Sequence, residues 1–221
     1  MTYTIHQSGT AIAAEVLESY RSLSTGTIGH RLSGGAMDAG IRLLAGGGLV
    51  VGGAVTVQTQ GRDSTVCHKV HDLCSPGDVL VIKADIDRFA PIGEMMVIAA
   101  RSRGVAAVIV DGPITDIVEV RELGLPVYAR GLAPLTTQLL GEGGQINTTI
   151  TCGGVQVTPG DLVIADEDGI IVIPTATAAD LLAEFHDEAE GDIEFRDQLL
   201  AGKLPSQLSP IDDLIAGKVT L

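Results

Sequence analysis

Aromatic side chains make up only 3% of this 221-residue chain, and tryptophan is absent. A core without large rings has to be packed from Val, Ile, Leu and Ala, which suits closely interlocked sheet surfaces. Basic residues are few as well: 14 Lys and Arg stand against 28 Asp and Glu, a formal charge of −14. A chain of that sign repels phosphate backbones and anionic lipid surfaces, so nucleic acid and membranes are not expected partners. No apolar run reaches the roughly 20 residues needed to span a bilayer. The start, MTYTIHQSGTAIAAEVLESY, has neither the basic cluster nor the continuous apolar centre of a secretion signal. The expectation is a soluble, cytoplasmic protein. Three cysteines are too few and too oddly numbered for a disulfide framework, in keeping with a reducing compartment.

What the chain does hold is 45% hydrophobic residues and 28 glycines, enough for one large domain over residues 1–221. Ile12, Val16, Leu17, Tyr20 and Leu23 have helix spacing, and the β-branched run Ala54 to Thr59 reads as a strand. Ser75-Pro76-Gly77-Asp78 and Thr158-Pro159-Gly160-Asp161 echo one another as tight turns that feed apolar strands. A helix is predicted from about Glu94 to Arg103, with Gly104 at a left-handed stop. VAAVIV follows as a strand apolar on both faces and runs into the acidic turn DGPITD. Helix and doubly buried strand together predict an α/β fold with a mixed or parallel sheet. From about 175 the pattern is helical again on an acidic background, and the segment 175–221 is expected to pack on a neighbouring subunit.

Chemistry is expected where that strand ends. Free N–H groups of Glu94, Met95 and Met96 at a helix start form a site for a carboxylate. Asp111 and Asp116 flank the turn and Glu94 stands beside the helix start. Carboxylates without competing thiols suit a hard divalent ion, Mg²⁺ or Mn²⁺. The alternative for such residues is a capping or solvent-facing role. Met95 and Met96 read as core side chains whose backbone matters to the site. Cys67, His68, His71 and Cys74 in CHKVHDLC have zinc-ligand chemistry, but one short helix cannot close a tetrahedron, so the segment reads as a buried structural helix. GGGLVVGG lacks the Lys-Ser/Thr of a phosphate loop. No serine sits in a nucleophile elbow.

In order, GAVTV, SPGDVLVI, APIGEMMVIAARSRGVAAVIVDGPITDI, LGLPVYARG and CGGVQVTPGDLVIADEDGIIVIP resemble the RraA-like family. That family holds the regulator of ribonuclease activity A and the 4-hydroxy-4-methyl-2-oxoglutarate aldolases, and the resemblance covers nearly the whole chain. It implies a swivelling β/β/α fold and a homo-oligomer, a trimer or a hexamer of two trimers. It also implies a metal-dependent lyase cleaving or decarboxylating a small 2-oxo acid. By that resemblance Gly93 to Met96 would receive the substrate, Asp116 would ligate the metal, and Glu94 would hold a water on it. Glu190 would reach a neighbouring site, and Glu94 or Asp111 would orient the acid or base. The aldolases place arginine where this chain has Thr115, and Arg62 or Arg88 are candidates to replace its charge. His30 stands where the family often has aspartate and is a candidate substrate contact or a hydrogen-bonded structural residue. The alternative to a lyase is a regulatory protein whose acidic surface docks a ribonuclease or other protein partner.

Overall fold

A computed structural model describes residues 2–218. Its strands are β1 (Thr2–Ile5), β2 (Arg42–Ala45), β3 (Val50–Gln58), β4 (Val79–Lys83), β5 (Ala107–Ile114), β6 (Val127–Leu132), β7 (Gly143–Ile146), β8 (Ile150–Cys152), β9 (Val155–Val157), β10 (Leu162–Ala165) and β11 (Ile170–Ile173). Its helices are α1 (Ala14–Tyr20), α2 (Thr25–Gly29), α3 (Thr65–Lys69), α4 (Glu94–Ser102), α5 (Ile117–Glu122), α6 (Thr175–Ala178), α7 (Leu182–Leu200), α8 (Pro205–Leu208) and α9 (Ile211–Ile215). None of the described helices is long and apolar enough to cross a membrane.

The architecture is the α/β class that the sequence pattern predicts. Strands β3, β4, β5 and β6 form a parallel ladder, with Ala54 opposite Val79, Val79 opposite Ala107 and Val108 opposite Val127. Both faces of such a ladder must be covered, which is why β4 and β5 carry almost unbroken apolar runs. Alternation along each strand sorts these side chains into two layers. Leu80, Ile82, Val108 and Val110 pack with Val66 of α3, Val97 of α4 and Val120 of α5. Val79, Val81, Ala107 and Ile109 face the other way, against Ile150, Cys152, Val163 and Val172 of the β8–β9 and β10–β11 hairpins. The outer face of the β10–β11 hairpin buries Tyr20, Leu23, Ile28 and Phe185. Helices, ladder, hairpins and a second helical layer therefore stack in that order.

Strand β3 joins the two sheet layers. Its first half pairs antiparallel with β10, Gly53 opposite Leu162 and Val50 opposite Ala165, and its second half pairs parallel with β4. Gly52 lets the turn before β4 come close: a β-carbon there would fall 2.2 Å from the Gly77 carbonyl oxygen. The two echoing turns are built alike. Asp78 Oδ2 accepts from Ser75 N at 2.7 Å and Asp161 Oδ2 from Thr158 N at 2.8 Å, while Gly77 and Gly160 have φ of 89° and 90°.

Helix α4 ends at Ser102 and Gly104 takes a φ of 75°, the left-handed stop that the sequence predicts. Two expectations change. β3 begins at Val50, ahead of the expected Ala54, because β10 supplies a partner for its glycine-rich start. β5 does not end at Val110 but continues through Asp111, Gly112 and Pro113 to Ile114, all buried.

Candidate active site

The carboxyl end of β5 and the start of α4 are tied together by backbone. Ile92 bridges Ile114, and Thr115 N donates to Ile92 O at 3.0 Å. Gly93 caps α4 in an extended conformation and has no side chain to satisfy the helix N–H groups. Asp116 does so from the other segment, its Oδ2 accepting from Glu94 N at 3.2 Å. Asp116 itself is left-handed, with φ 56° and ψ 41°, at the N-cap of α5. Non-glycine residues seldom take that conformation; Asp and Asn tolerate it best. The exposed carboxylate is thus aimed at the positive end of the α4 dipole by a backbone setting that few side chains accept.

The expected trio of free N–H groups is smaller than the sequence suggests. Glu94 N is taken by Asp116, and Met96 N reaches back to Gly93 O at 3.1 Å. Met95 is not a core residue: its side chain is 60% exposed, whereas Met96 packs part-buried against the core.

A cavity of about 170 Å³ opens here, lined by Gly93, Met95, Met96, Thr115 and Asp116. Its opposite wall carries Ser64 and His68 from the α3 segment and Thr136 and Thr137 from the chain after β6. Sequence reasoning did not place these four at the site, because residues from three separate segments meet only in the fold. The start of α3, the segment that carries Ser64 and His68, is held by Asp63, which is fully buried and absent from the sequence candidates. Its carboxylate accepts from Thr65 N (2.9 Å), Thr65 Oγ1 (2.6 Å), Leu140 N (3.1 Å) and Glu142 N (2.7 Å). Burial pushes the Asp63 pKa up, but these donors outweigh it and hold it far below the usual carboxylate range. The Asp-Ser-Thr run at the start of α3 was the available signal, since it is helix-capping chemistry.

The oxygen donors suit a hard divalent ion. Asp116 Oδ1 has one weak contact, 3.3 Å from Thr115 Oγ1, and is otherwise open among the described residues. Ser64, Thr115, Thr136 and Thr137 line the same space, with the Thr137 hydroxyl donating to Ala90 O at 3.3 Å. One carboxylate with hydroxyls and retained water is an ordinary environment for Mg²⁺ or Mn²⁺. Glu94 brings its N–H to Asp116, but its side chain does not line the cavity.

Asp111 is not in this group. As part of β5 it points to the hairpin face of the ladder, away from α4, and is 3% exposed. Oδ2 accepts from Lys83 Nζ at 2.9 Å and from Gly153 N at 3.0 Å, while Oδ1 pairs with Arg130 Nε. Arg130 also reaches Asp38 Oδ1 at 2.8 Å. Burial raises the Asp111 pKa, and the Gly153 N–H, Lys83 and Arg130 more than reverse it. Arg62 and Arg88 do not line the cavity either. Their guanidinium carbons lie 5.2 and 5.9 Å from the centre of the Phe89 ring, and Arg62 donates to Gln138 Oε1 at 2.7 Å.

His30 caps the end of α2 and faces α7, with Nδ1 2.9 Å from Glu188 Oε1 and 3.8 Å from Asp192 Oδ1. These three could together hold an ion, but Glu188 is already engaged, hydrogen-bonded to His30 and with Arg31 Nε 2.5 Å from its Oε2. Glu190 is exposed on α7, outside that trio. Cys67 and Cys74 are buried free thiols, pushed up to about 12 by burial, and no zinc-like group forms around them among the described residues.

The family model described as "RraA-like: Aldolase/RraA" matches residues 15–172. The chain belongs to the RraA-like family. A relative in Halalkalibacterium halodurans named "Putative 4-hydroxy-4-methyl-2-oxoglutarate aldolase" is 32% identical over 91% of this chain and 96% of its own. A solved Streptomyces coelicolor structure, described as an unusual member of the RNase ES inhibitor RraA family, is 31% identical, with a TM-score of 0.76. It covers 85% of this chain and 99% of that one. The RNA-processing inhibitor RraA from Thermus thermophilis is 27% identical with a TM-score of 0.58, over 63% of this chain and 84% of its own. The RraA-like fold is thus shared between relatives bearing aldolase names and relatives bearing inhibitor names.

Proposed function

We propose that this RraA-like chain is a divalent-metal-dependent carbon–carbon lyase that acts on a small 2-oxo acid, by aldol cleavage or decarboxylation. The observation that carries this reading is the Asp116 carboxylate, held at the N-terminus of α4 in a cavity that Ser64, Thr115, Thr136 and Thr137 help to line. Asp116 is the metal ligand in this proposal, with Glu94 beside it and Glu190 reaching from a neighbouring subunit. When bound, Mg²⁺ or Mn²⁺ supplies Lewis-acid withdrawal of electrons from the 2-oxo group. The start of α4 receives the substrate carboxylate through the Met95 N–H and the helix dipole. Thr115 offers a hydroxyl to the oxygen on which charge develops. Glu94, whose side chain lies outside the cavity wall, orients the acid or base through a water, a role from which the ion pairs of Asp111 withdraw that residue. A cavity of about 170 Å³ limits the reacting end to a small acid.

The working unit we propose is a cytoplasmic homotrimer or hexamer. Beyond Ala189, α7 leaves Ile193 61% and Leu200 75% exposed, apolar surface that a neighbouring subunit would cover. The three free, buried cysteines agree with a reducing compartment.

A second reading, a non-catalytic regulator that docks a ribonuclease or other protein, is favoured by the apolar rim of the site. Met95, Ile98 and Val118 on α4 and α5 are 60%, 40% and 63% exposed. The two are separated by pyruvate release from oxaloacetate or a 4-hydroxy-2-oxo acid, with Mg²⁺, Mn²⁺ or chelator. Weak, metal-dependent release that Thr115→Arg raises supports the lyase. Negligible release by both folded, metal-binding proteins supports the regulator.

A further inference from the structure

We infer that His68, which lines the cavity from α3, is a second contact for the bound acid, its imidazole working together with the start of α4. The inference rests on the reading above for the ligand's class, a small carboxylic acid. Its basis is the charge balance of the cavity. The chain as a whole carries −14, and the one acid in the cavity wall, Asp116, is committed to the metal in the reading above. Among the described residues that line the cavity, His68 alone has a basic side chain.

No Lys or Arg among the described residues lines the cavity. Arg62 and Arg88 flank Phe89. Lys83 and Arg130 hold Asp111 on the opposite face of the ladder. Arg103 Nη2 donates to Cys74 O at 3.1 Å. The neighbouring His71 is unsuited, since it is buried with neither ring nitrogen hydrogen-bonded, and burial lowers its pKa so that it stays neutral. His68 is exposed in the last turn of α3.

The position of His68 is fixed by the fold. Asp63 clamps the start of α3 to the Leu140–Gly143 segment, and His68 N donates to Ser64 O at 3.1 Å, one turn later. Ser64 and His68 thus present a hydroxyl and an imidazole to the same space from a start that cannot drift. An imidazole N–H to a carboxylate is a charge-assisted bond whenever the ring is protonated.

The test is binding of oxalate, a stable dicarboxylate of the right class, measured by calorimetry with Mn²⁺ present, alongside Mn²⁺ affinity itself. His68→Gln keeps a donor of similar reach that cannot take up a proton; His68→Lys supplies a fixed cation. The expected result is oxalate affinity about tenfold weaker in H68Q and within about threefold of the parent in H68K, with Mn²⁺ affinity unchanged in both. Equal oxalate affinity in parent and H68Q, or no oxalate binding by the parent, would overturn the inference. Turnover separates it from the lyase reading. A parent that releases no pyruvate yet binds oxalate in a His68-dependent way loses the lyase reading and keeps the His68 assignment. Active enzyme whose KM and kcat ignore H68Q does the reverse.

Discussion

A β-carbon on Gly93 would stand 2.4 Å from Asp116 Oδ2 and 2.6 Å from Thr115 Cγ2. No real β-carbon sits that close, so the bare glycine is what lets the Asp116 carboxylate rest on the first N–H of α4. Gly93→Ala is therefore expected to push the turn away. Overpacking of this kind costs about 1–3 kcal/mol, and Mn²⁺ affinity should fall by about tenfold or more. Asp116→Asn is the companion variant, because Asn keeps the left-handed backbone while removing the charge. Calorimetry with Mn²⁺ on both folded variants checks this. Parent-like affinity in either would remove Asp116 from the metal site.

Asp63 should matter to stability more than any exposed carboxylate. Asp63→Asn gives up a buried anion that satisfies four N–H or O–H donors within 3.1 Å, and we expect a loss on the order of 3 kcal/mol at neutral pH. The folded pKa is depressed, so the ionised group stabilises fully above the unfolded value of about 3.9. That contribution is lost as pH falls from there through the folded pKa. Urea unfolding of parent and variant should show a constant gap from pH 5 to 7 that shrinks below about pH 4. A gap independent of pH would mean that packing, not the charge, is responsible.

Asp111→Asn should destabilise without touching metal binding. It leaves Lys83 and Arg130 facing one another over a buried amide. Each cation is about one-third exposed, so water softens the penalty to about 2–3 kcal/mol, below that of a fully buried broken pair. Thermal unfolding should register the change while Mn²⁺ affinity stays that of the parent. Loss of Mn²⁺ binding in the folded variant would return Asp111 to the site.

The local parts of the fold were legible because their causes are local. The spacing of Val16, Leu17 and Tyr20 in a helix shorter than the expected 11–23, the stop at Gly104 and the paired Pro-Gly-Asp turns each depend on a few neighbouring residues. Asp111-Gly112-Pro113 was misleading because its causes are distant. It has the composition of a turn, yet Lys83 and Arg130 neutralise the aspartate. A β-carbon on Gly112 would meet Ala84 Cβ at 2.6 Å, and Pro113 sits at a register shift against β6, where a missing N–H does no harm. Asp116 and Gly93 were readable as a candidate pair. His68, Thr136 and Thr137 were not, since no spacing rule relates α3, the end of β5 and the segment after β6.

The dual pairing of β3 also bears on how the chain comes into being. While the protein is being made, Ala54–Gln58 can find β4 soon after synthesis, but Val50–Gly53 have no antiparallel partner until Leu162–Ala165 emerge. An apolar, glycine-bearing strand end therefore stays unpaired during synthesis of about a hundred residues, and such edges invite pairing with other nascent chains. Ribosome spacing and chaperone capture at this one segment should thus decide the yield of folded protein, more than the stability of the finished ladder does.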